Sequence, residues 1–267
     1  MLVTGGGTGI GRACAARLAR DGAAVTICGR TKAKLDQAAD TIAAGAAHGG
    51  RVQVVAGDVT TETDVVRMVE TATALTGRLD GCVANAGGGG LPPPYHLQDT
   101  EEFLRVLHLN VLGTMLCVKH TVPHMRAAGG GSFVGMSSLA GHRTHLYFGA
   151  YPVAKAGIEQ MMRNAADEYG AARIRFNAVR PGFIATEMMD VIPRGGSTYA
   201  SYLAQTPLED VGEPEDVANL VRFLIGPEAR WITGTVIDVD GGHQLRRGPD
   251  FGEFVPHPAD VRTGKLP

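Results

Sequence analysis

Val3-Thr4-Gly5-Gly6-Gly7-Thr8-Gly9-Ile10-Gly11 decides the fold of this chain. Val3-Thr4 reads as the end of a strand and residues 10–20 as a helix. Between them Gly5, Gly9 and Gly11 follow a G-x-x-x-G-x-G spacing. Glycine permits the tight turn and lets backbone N–H groups come close to an anion. The helix N-terminus behind the turn offers unpaired donors and a partial positive charge. A glycine triplet alone is equally an ordinary flexible turn. Set between a strand and a helix, it reads as a cradle for the pyrophosphate of a dinucleotide.

The rest of the chain keeps the same rhythm. Short apolar runs at 24–28, 52–55, 81–84, 132–136 and 235–239 alternate with helical stretches at 10–20, 60–75, 100–125, 151–169 and 214–225. Asp216, Val217, Leu220, Val221 and Leu224 show the helical repeat in the last of these. Strands this short and continuously apolar are expected where helices cover both faces of a sheet. The alternation predicts a single α/β domain, a doubly wound parallel sheet with the ligand beyond the carboxyl ends of its strands. The domain spans 1–242. Two stretches break its rhythm: a glycine- and proline-rich loop at 87–94, and residues 183–210, which read as a substrate lid. The extension 243–267 is polar and proline-rich, the composition of a disordered segment; any order in it requires docking on this subunit or a neighbour.

Composition narrows the function. The 267 residues are 44% hydrophobic and 19% charged, with a formal net charge of -2, which leaves no basic footprint for nucleic acid. No apolar run approaches the roughly 20 residues of a membrane helix. No secretory signal is visible, so a cytoplasmic protein is expected. The four cysteines, Cys14, Cys28, Cys82 and Cys117, form no C-x-x-C pair and read as reduced core thiols. The nine histidines are scattered, with no metal-ligand spacing.

The end of the second strand distinguishes the two nicotinamide cofactors. An acid there binds the ribose 2′-hydroxyl, whereas an arginine accepts a 2′-phosphate. The chain reads Thr26-Ile27-Cys28-Gly29-Arg30-Thr31, without an acid. NADP is therefore expected, with Arg30 on its phosphate and NAD as the alternative. Asp58 and Val59 would flank the adenine, although Asp58 is equally suited to capping a helix.

A second constellation concerns proton transfer. Tyr151 and Lys155 lie four apart on the predicted helix and share a face. A phenol has a pKa of about 10 and is a poor base near neutrality. An adjacent ammonium is expected to lower that value, so that Tyr151 exchanges a proton with a substrate oxygen held by Ser138. Each residue alone has a dull explanation as a strand end, a half-buried ring or a helix-coating charge. The set, following the glycine loop, makes coincidence improbable.

With these pieces in view the chain resembles the short-chain dehydrogenases/reductases from its start to about residue 243. The matching pieces are Thr4-Gly5-x-x-x-Gly9-x-Gly11, Asn85-Ala86-Gly87, Asn110, Ser137-Ser138, Tyr151-x-x-x-Lys155, Arg180-Pro181-Gly182 and Val239-Asp240-Gly241-Gly242. The resemblance implies a single-domain Rossmann fold with a parallel seven-stranded sheet and a catalytic set of Asn110, Ser138, Tyr151 and Lys155. Asn110 would support a water relay to Lys155, and Lys155 would also hold the nicotinamide ribose. Gly5, Thr8, Gly9, Ile10 and Gly11 would line the cofactor loop. Asn85, Ala86 and Gly87 would line the cleft, with Pro181, Gly182, Ile184 and Thr186 at the nicotinamide. Ser137 is the runner-up to Ser138, whose distance to Tyr151 is the usual one. Two departures stand out: only Met1-Leu2-Val3 precedes the turn, so the first strand is short or the true start lies upstream, and Pro152 follows Tyr151.

Candidate substrate residues are 88–91, which end in Leu91, together with Leu139, His142, His145, Tyr147, Phe148, Met188 and Met189. Their thioethers and rings point to an apolar small molecule. The family resemblance implies a homotetramer, with helices 100–125 and 151–169 and the last strand at interfaces. The leading expectation is an NADP-dependent carbonyl reductase or alcohol dehydrogenase. Within enzymes the alternative is an enoyl or dienoyl thioester reductase; outside them it is a non-catalytic NADP-binding sensor.

Overall fold

A computed structural model of the chain describes residues 1–90, 93–246, 248 and 251–254. Leu91 lies outside these. The sheet consists of β1 (Leu2–Thr4), β2 (Ala24–Gly29), β3 (Arg51–Ala56), β4 (Gly81–Ala84), β5 (Gly131–Met136), β6 (Ile174–Pro181) and β7 (Val236–Val239). Every pairing is parallel, in the order β3-β2-β1-β4-β5-β6-β7. The chain therefore reverses direction across the sheet between β1 and β4, the point where a doubly wound sheet opens a ligand crevice.

Helices α1 (Gly9–Arg20), α2 (Lys32–Gly45) and α8 (Pro214–Ile225) cover one face. Helices α3 (Glu62–Ala74), α5 (Gly113–Ala127) and α6 (Ala150–Tyr169) cover the other, and α4 (Thr100–Leu107) packs on α6. The continuous apolar strands are explained by their alternation between two cores. Leu2, Cys28, Cys82 and Phe133 enter the α3/α5/α6 side, while Val3, Ile27, Val83 and Val134 enter the α1/α2/α8 side. Phe133 and Phe176 pair across β5 and β6 with rings stacked at 5.2 Å. Burial pushes the Cys14 thiol up to about 12, and the Cys28 and Cys82 thiols rise for the same reason.

The structure departs from the sequence reading in four places. Strand β6 was hidden by polar residues that the fold satisfies internally: Asn177 is buried, donates to the Ile232 carbonyl at 3.0 Å and accepts from the Thr235 N–H. The helix expected over 100–125 is interrupted by a wide turn of π-helical geometry at His108–Leu112. The segment 183–210 contains a helix of its own, α7 (Ser197–Gln205). The described part of the tail is packed, with Phe251 buried against a third apolar cluster of Tyr147, Phe183, Ile192 and Tyr202. Tertiary contact, which composition does not register, orders it.

Candidate active site

The glycine loop between β1 and α1 is shaped for close approach. Gly5 (φ +65°) and Gly9 (φ +47°) take left-handed conformations that suit glycine. A Cβ on Gly11 would lie 2.2 Å from the Gly5 carbonyl oxygen, and one on Gly5 would lie 2.8 Å from Asn85 Nδ2. Asn85 donates through Nδ2 to the Thr4 carbonyl at 3.1 Å, and the Asn85 and Ala86 N–H groups donate to the Thr4 hydroxyl at 3.0 and 2.9 Å. The loop is thus tied to the end of β4 across the crevice. At the start of α1, Thr8 makes no side-chain cap and no acid occupies the first turn. Its first N–H groups await an anion, so the donor set and the bare backbone fit a pyrophosphate. The loop also meets the lid: a Cβ on Gly9 would be 3.1 Å from Thr186 Cγ2, and Arg12 pairs with Glu187 at 3.2 Å.

Arg30 directly follows β2 and is exposed, with no ion pair among the described residues. Helix α2 begins beside it with no side-chain cap from Thr31 and no acid in its first turn, and Gly7 approaches Lys34 and Leu35 there. Thr31 and Lys34 were not singled out in the sequence, because the contact of this helix with the glycine loop is tertiary. Asp58 holds its own turn by accepting from the Thr60 N–H and hydroxyl at 2.9 and 2.8 Å. Val59 is buried against Gly113. Pro181 closes β6, Gly182 packs on Asp240, and Ile184 is buried and pairs with Gly212.

Tyr151 and Lys155 project from the first turns of α6, entered through Tyr147 (φ +63°) and Gly149 (φ +52°). Pro152 sits harmlessly in the first turn of the helix. Gly89 lies over the Tyr151 ring, where a Cβ would come within 3.0 Å. Lys155 is buried, donates from Nζ to the Met136 carbonyl at 2.8 Å and stands 5.4 Å from the Tyr151 ring centre. Burial lowers the Lys155 ammonium to about 8. The expected depression of Tyr151 by Lys155 is not what the geometry gives. Burial raises the phenol above its ordinary value, opposed by a hydrogen bond with the Ser138 hydroxyl. The lysine is committed to Met136 and does not offset the lost hydration of the phenolate.

The lysine shift carries a pH signature. Below about pH 8 Lys155 is protonated in both folded and unfolded chains, and the fold bears the full cost of burying the charge. Between about 8 and the ordinary 10.5 only the unfolded chain holds the proton, so stability rises with pH. Lys155→Met removes this cost. Its stability advantage over the wild type is expected to shrink by up to roughly 3 kcal/mol between pH 7 and pH 10.5. The buried cysteines titrate in the opposite sense in both proteins and cancel in the difference. Urea unfolding at several pH values checks this, and a pH-independent difference would refute it.

The two serines separate cleanly. Ser137 is buried and donates to Glu159 Oε1 at 2.8 Å, whereas Ser138 begins the short turn Leu139–Gly141, accepts from the Ala140 N–H at 3.2 Å and meets Tyr151. Behind Ser137, Arg180 makes a bidentate pair with Glu159, 2.7 Å on each arm, and reaches Asp238 at 3.0 Å. Asn110, at the centre of the wide turn, is fully buried: Nδ2 donates to Gly88 and Val106 carbonyls at 2.7 and 2.8 Å, and Oδ1 accepts from the Gly88 N–H. A Cβ on Gly87 would touch both Asn110 Oδ1 and Lys155 Nζ. Asn110 therefore fixes the 87–88 backbone against the lysine.

The candidate substrate residues divide. Phe148 packs edge-on to Tyr151 at 6.0 Å and tilts on His145 at 4.9 Å. Burial pushes His145 down to about 4, so it is neutral and unsuited to acid chemistry near pH 7. Tyr147 and Met189 belong to the third apolar cluster. Leu139 is buried, while His142 and Met188 are exposed, with Met188 Cε near Gly88. Tyr202 and Phe251, which sequence reasoning missed, complete the cluster. Among the described residues no group of acidic, histidine and cysteine side chains could hold a metal, and no helix is long and apolar enough to cross a membrane.

Comparison with known proteins gives the family. A family model described as enoyl-(acyl carrier protein) reductase matches residues 5–244. The cis-4-hydroxycyclohexanecarboxylate dehydrogenase of Sinomonas cyclohexanicum is 37% identical over 91% of this chain and 95% of its own length. The 7alpha-hydroxysteroid dehydrogenase of Clostridium sardiniense is 35% identical over 96% of each chain. A solved short-chain type dehydrogenase/reductase from Mycobacterium ulcerans superposes with a TM-score of 0.92 at 45% identity, covering 95% of this chain and 92% of that one. Crevice, glycine loop, Ser138, Tyr151, Lys155 and these relatives together show that the chain belongs to the short-chain dehydrogenases/reductases, as an oxidoreductase of alcohols and carbonyls that uses a nicotinamide cofactor.

Proposed function

We propose that this protein is an NADPH-dependent reductase of alicyclic ketones. The observation that carries the reaction is the half-buried Tyr151, whose phenol lies beside the Ser138 hydroxyl. A raised pKa keeps Tyr151 protonated at neutral pH, ready to give a proton to a carbonyl oxygen becoming an alkoxide. Ser138 donates to the same oxygen and fixes it against the phenol. Lys155, protonated below about pH 8, supplies positive charge under the site and would hold the ribose. Asn110 keeps the 87–88 loop in place, and the relay water implied by the resemblance would run past it to Lys155. A bound NADPH would supply the hydride. The α1 N-terminus with Gly5, Thr8, Gly9, Ile10 and Gly11 would hold its pyrophosphate, and Asn85, Ala86, Gly87, Pro181, Gly182, Ile184 and Thr186 its nicotinamide half. Asp58 and Val59 would flank the adenine.

Preference for NADP rests on Arg30, exposed and without an ion pair among the described residues where an acid would select NAD, with Lys34 one turn further on. Arg30→Ala is expected to weaken NADPH binding about tenfold or more and to leave NADH nearly unchanged, as read by fluorescence titration. Equal losses for both would remove Arg30 from the phosphate. The alicyclic class rests on the aromatic wall at Phe148 and on the ring-borne hydroxyls named for the Sinomonas and Clostridium relatives. Turnover of cyclohexanones with NADPH tests it. Reduction of an enoyl thioester alone would favour the chemistry in the family model's description. A homotetramer is supported by apolar side chains left exposed on α4, α5, α6 and beside β7: Leu104, Met115, Val153 and Trp231.

A further inference from the structure

The tail is fastened to the lid at several points. Glu253 Oε1 accepts from the Thr198 N–H at 2.9 Å, placing a carboxylate at the N-terminus of α7, which has only Gly196 as its cap residue. Arg246 donates to the Ala204 carbonyl at 2.9 Å, at the opposite end of the same helix. Arg143, on the segment leading to Tyr151, donates to the Gln244 carbonyl. Between these ties Phe251 is 3% exposed and wedged edge-on against Phe148 at 4.6 Å and Tyr202 at 5.8 Å. Phe148 in turn meets Tyr151, and Tyr202 stacks on Phe183 at 4.2 Å.

We infer that the described tail residues, 243–246 and 251–254, form a strap belonging to the substrate site, in which Glu253 anchors the lid helix and Phe251, by backing Phe148 and Tyr202, sets the size of ring the site accepts. The size assignment rests on the carbonyl reduction proposed above; the anchoring does not. Removing the Phe251 ring frees Phe148 to retreat from Tyr151 and deepens the site at its far end. A monocyclic ketone then loses its wall, while a fused bicyclic ketone gains room.

The test uses the full chain with Phe251→Ala, Phe251→Leu and Glu253→Gln. Hydrogen exchange across 197–205 is expected to quicken about tenfold or more in Glu253→Gln, because charge-assisted bonds to the helix end are lost. The kcat/KM ratio of 1-decalone to cyclohexanone is expected to rise about tenfold or more in Phe251→Ala and to return towards wild type in Phe251→Leu, with NADPH affinity unchanged. Unchanged exchange across α7 overturns the strap, whether or not any ketone is reduced. A proportional loss on both ketones, or an unaltered ratio, overturns Phe251 as the size-setting residue. Wild-type protein that binds NADPH but reduces no ketone refutes the reaction and with it the size assignment, while the exchange measurement still decides the anchoring.

Discussion

Tyr151→Phe is expected to lower kcat about a thousandfold while leaving the fold and NADPH affinity nearly intact. The substitution removes one oxygen and keeps the ring, so the contacts with Gly89 and Phe148 survive. Ser138 loses the phenol but keeps the Ala140 N–H, which limits the penalty of an unmatched, partly buried hydroxyl. In the proposed reaction the Tyr151 phenol beside Ser138 would give the proton, and neither of the nearby titratable groups can replace it. His145 is held neutral, and Lys155 is committed to the Met136 carbonyl. Single-turnover kinetics with saturating NADPH, alongside a thermal melt, separates chemistry from folding. A variant that keeps more than a tenth of wild-type kcat would sink the assignment. Total loss, beside a wild type that turns over, would also exclude a purely sensory protein.

Arg180→Met should instead act on stability. Arg180 and Glu159 are 9% and 6% exposed in their side chains and bond through both arms of each group. Breaking a buried pair by removing one partner costs about 3–5 kcal/mol, because the other charge stays buried. That is a large share of the roughly 5–15 kcal/mol that holds a domain together. Burial alone would raise the Glu159 carboxyl; hydrogen bonds from Arg180 and Ser137 outweigh it and hold the carboxyl below its ordinary 4.5. In the wild type this contribution is present above pH 4.5 and is lost as pH falls through the lower folded value. In Arg180→Met burial dominates, the folded carboxyl titrates above 4.5, and stability falls as pH rises through that range. Urea titrations at pH 5 and pH 8 should therefore show the variant closest to wild type at the acid end. A loss below about 1 kcal/mol would mean the pair is worth no more than a surface bridge.

What the sequence disclosed follows from how local each feature is. The glycine loop and the four-residue spacing of Tyr151 and Lys155 are set by the geometry of one turn and one helix, so they are legible without the rest of the molecule. Choosing Ser138 over Ser137 needed a family pattern, and its physical reason is Glu159, a residue that reads as helix surface until Arg180 arrives from β6. Strand β6 escaped notice because Arg175 and Asn177 interrupt its apolar run, and their partners lie beyond it in sequence. The wide turn around Asn110 has no compositional mark. Its bonds to Gly88 link segments that only the sheet brings together. Phe251 was lost in a tail whose polar composition hides the single ring that matters.

The third apolar cluster, Tyr147, Phe183, Ile192, Tyr202 and Phe251, shares no residue with the two cores that flank the sheet. Inheritance can therefore act on them separately. Substitutions in the cluster can retune which molecule is admitted while the parallel scaffold and the proton-transfer residues pass unchanged from ancestor to descendant. Duplicated genes on this plan can diverge in diet before they diverge in chemistry.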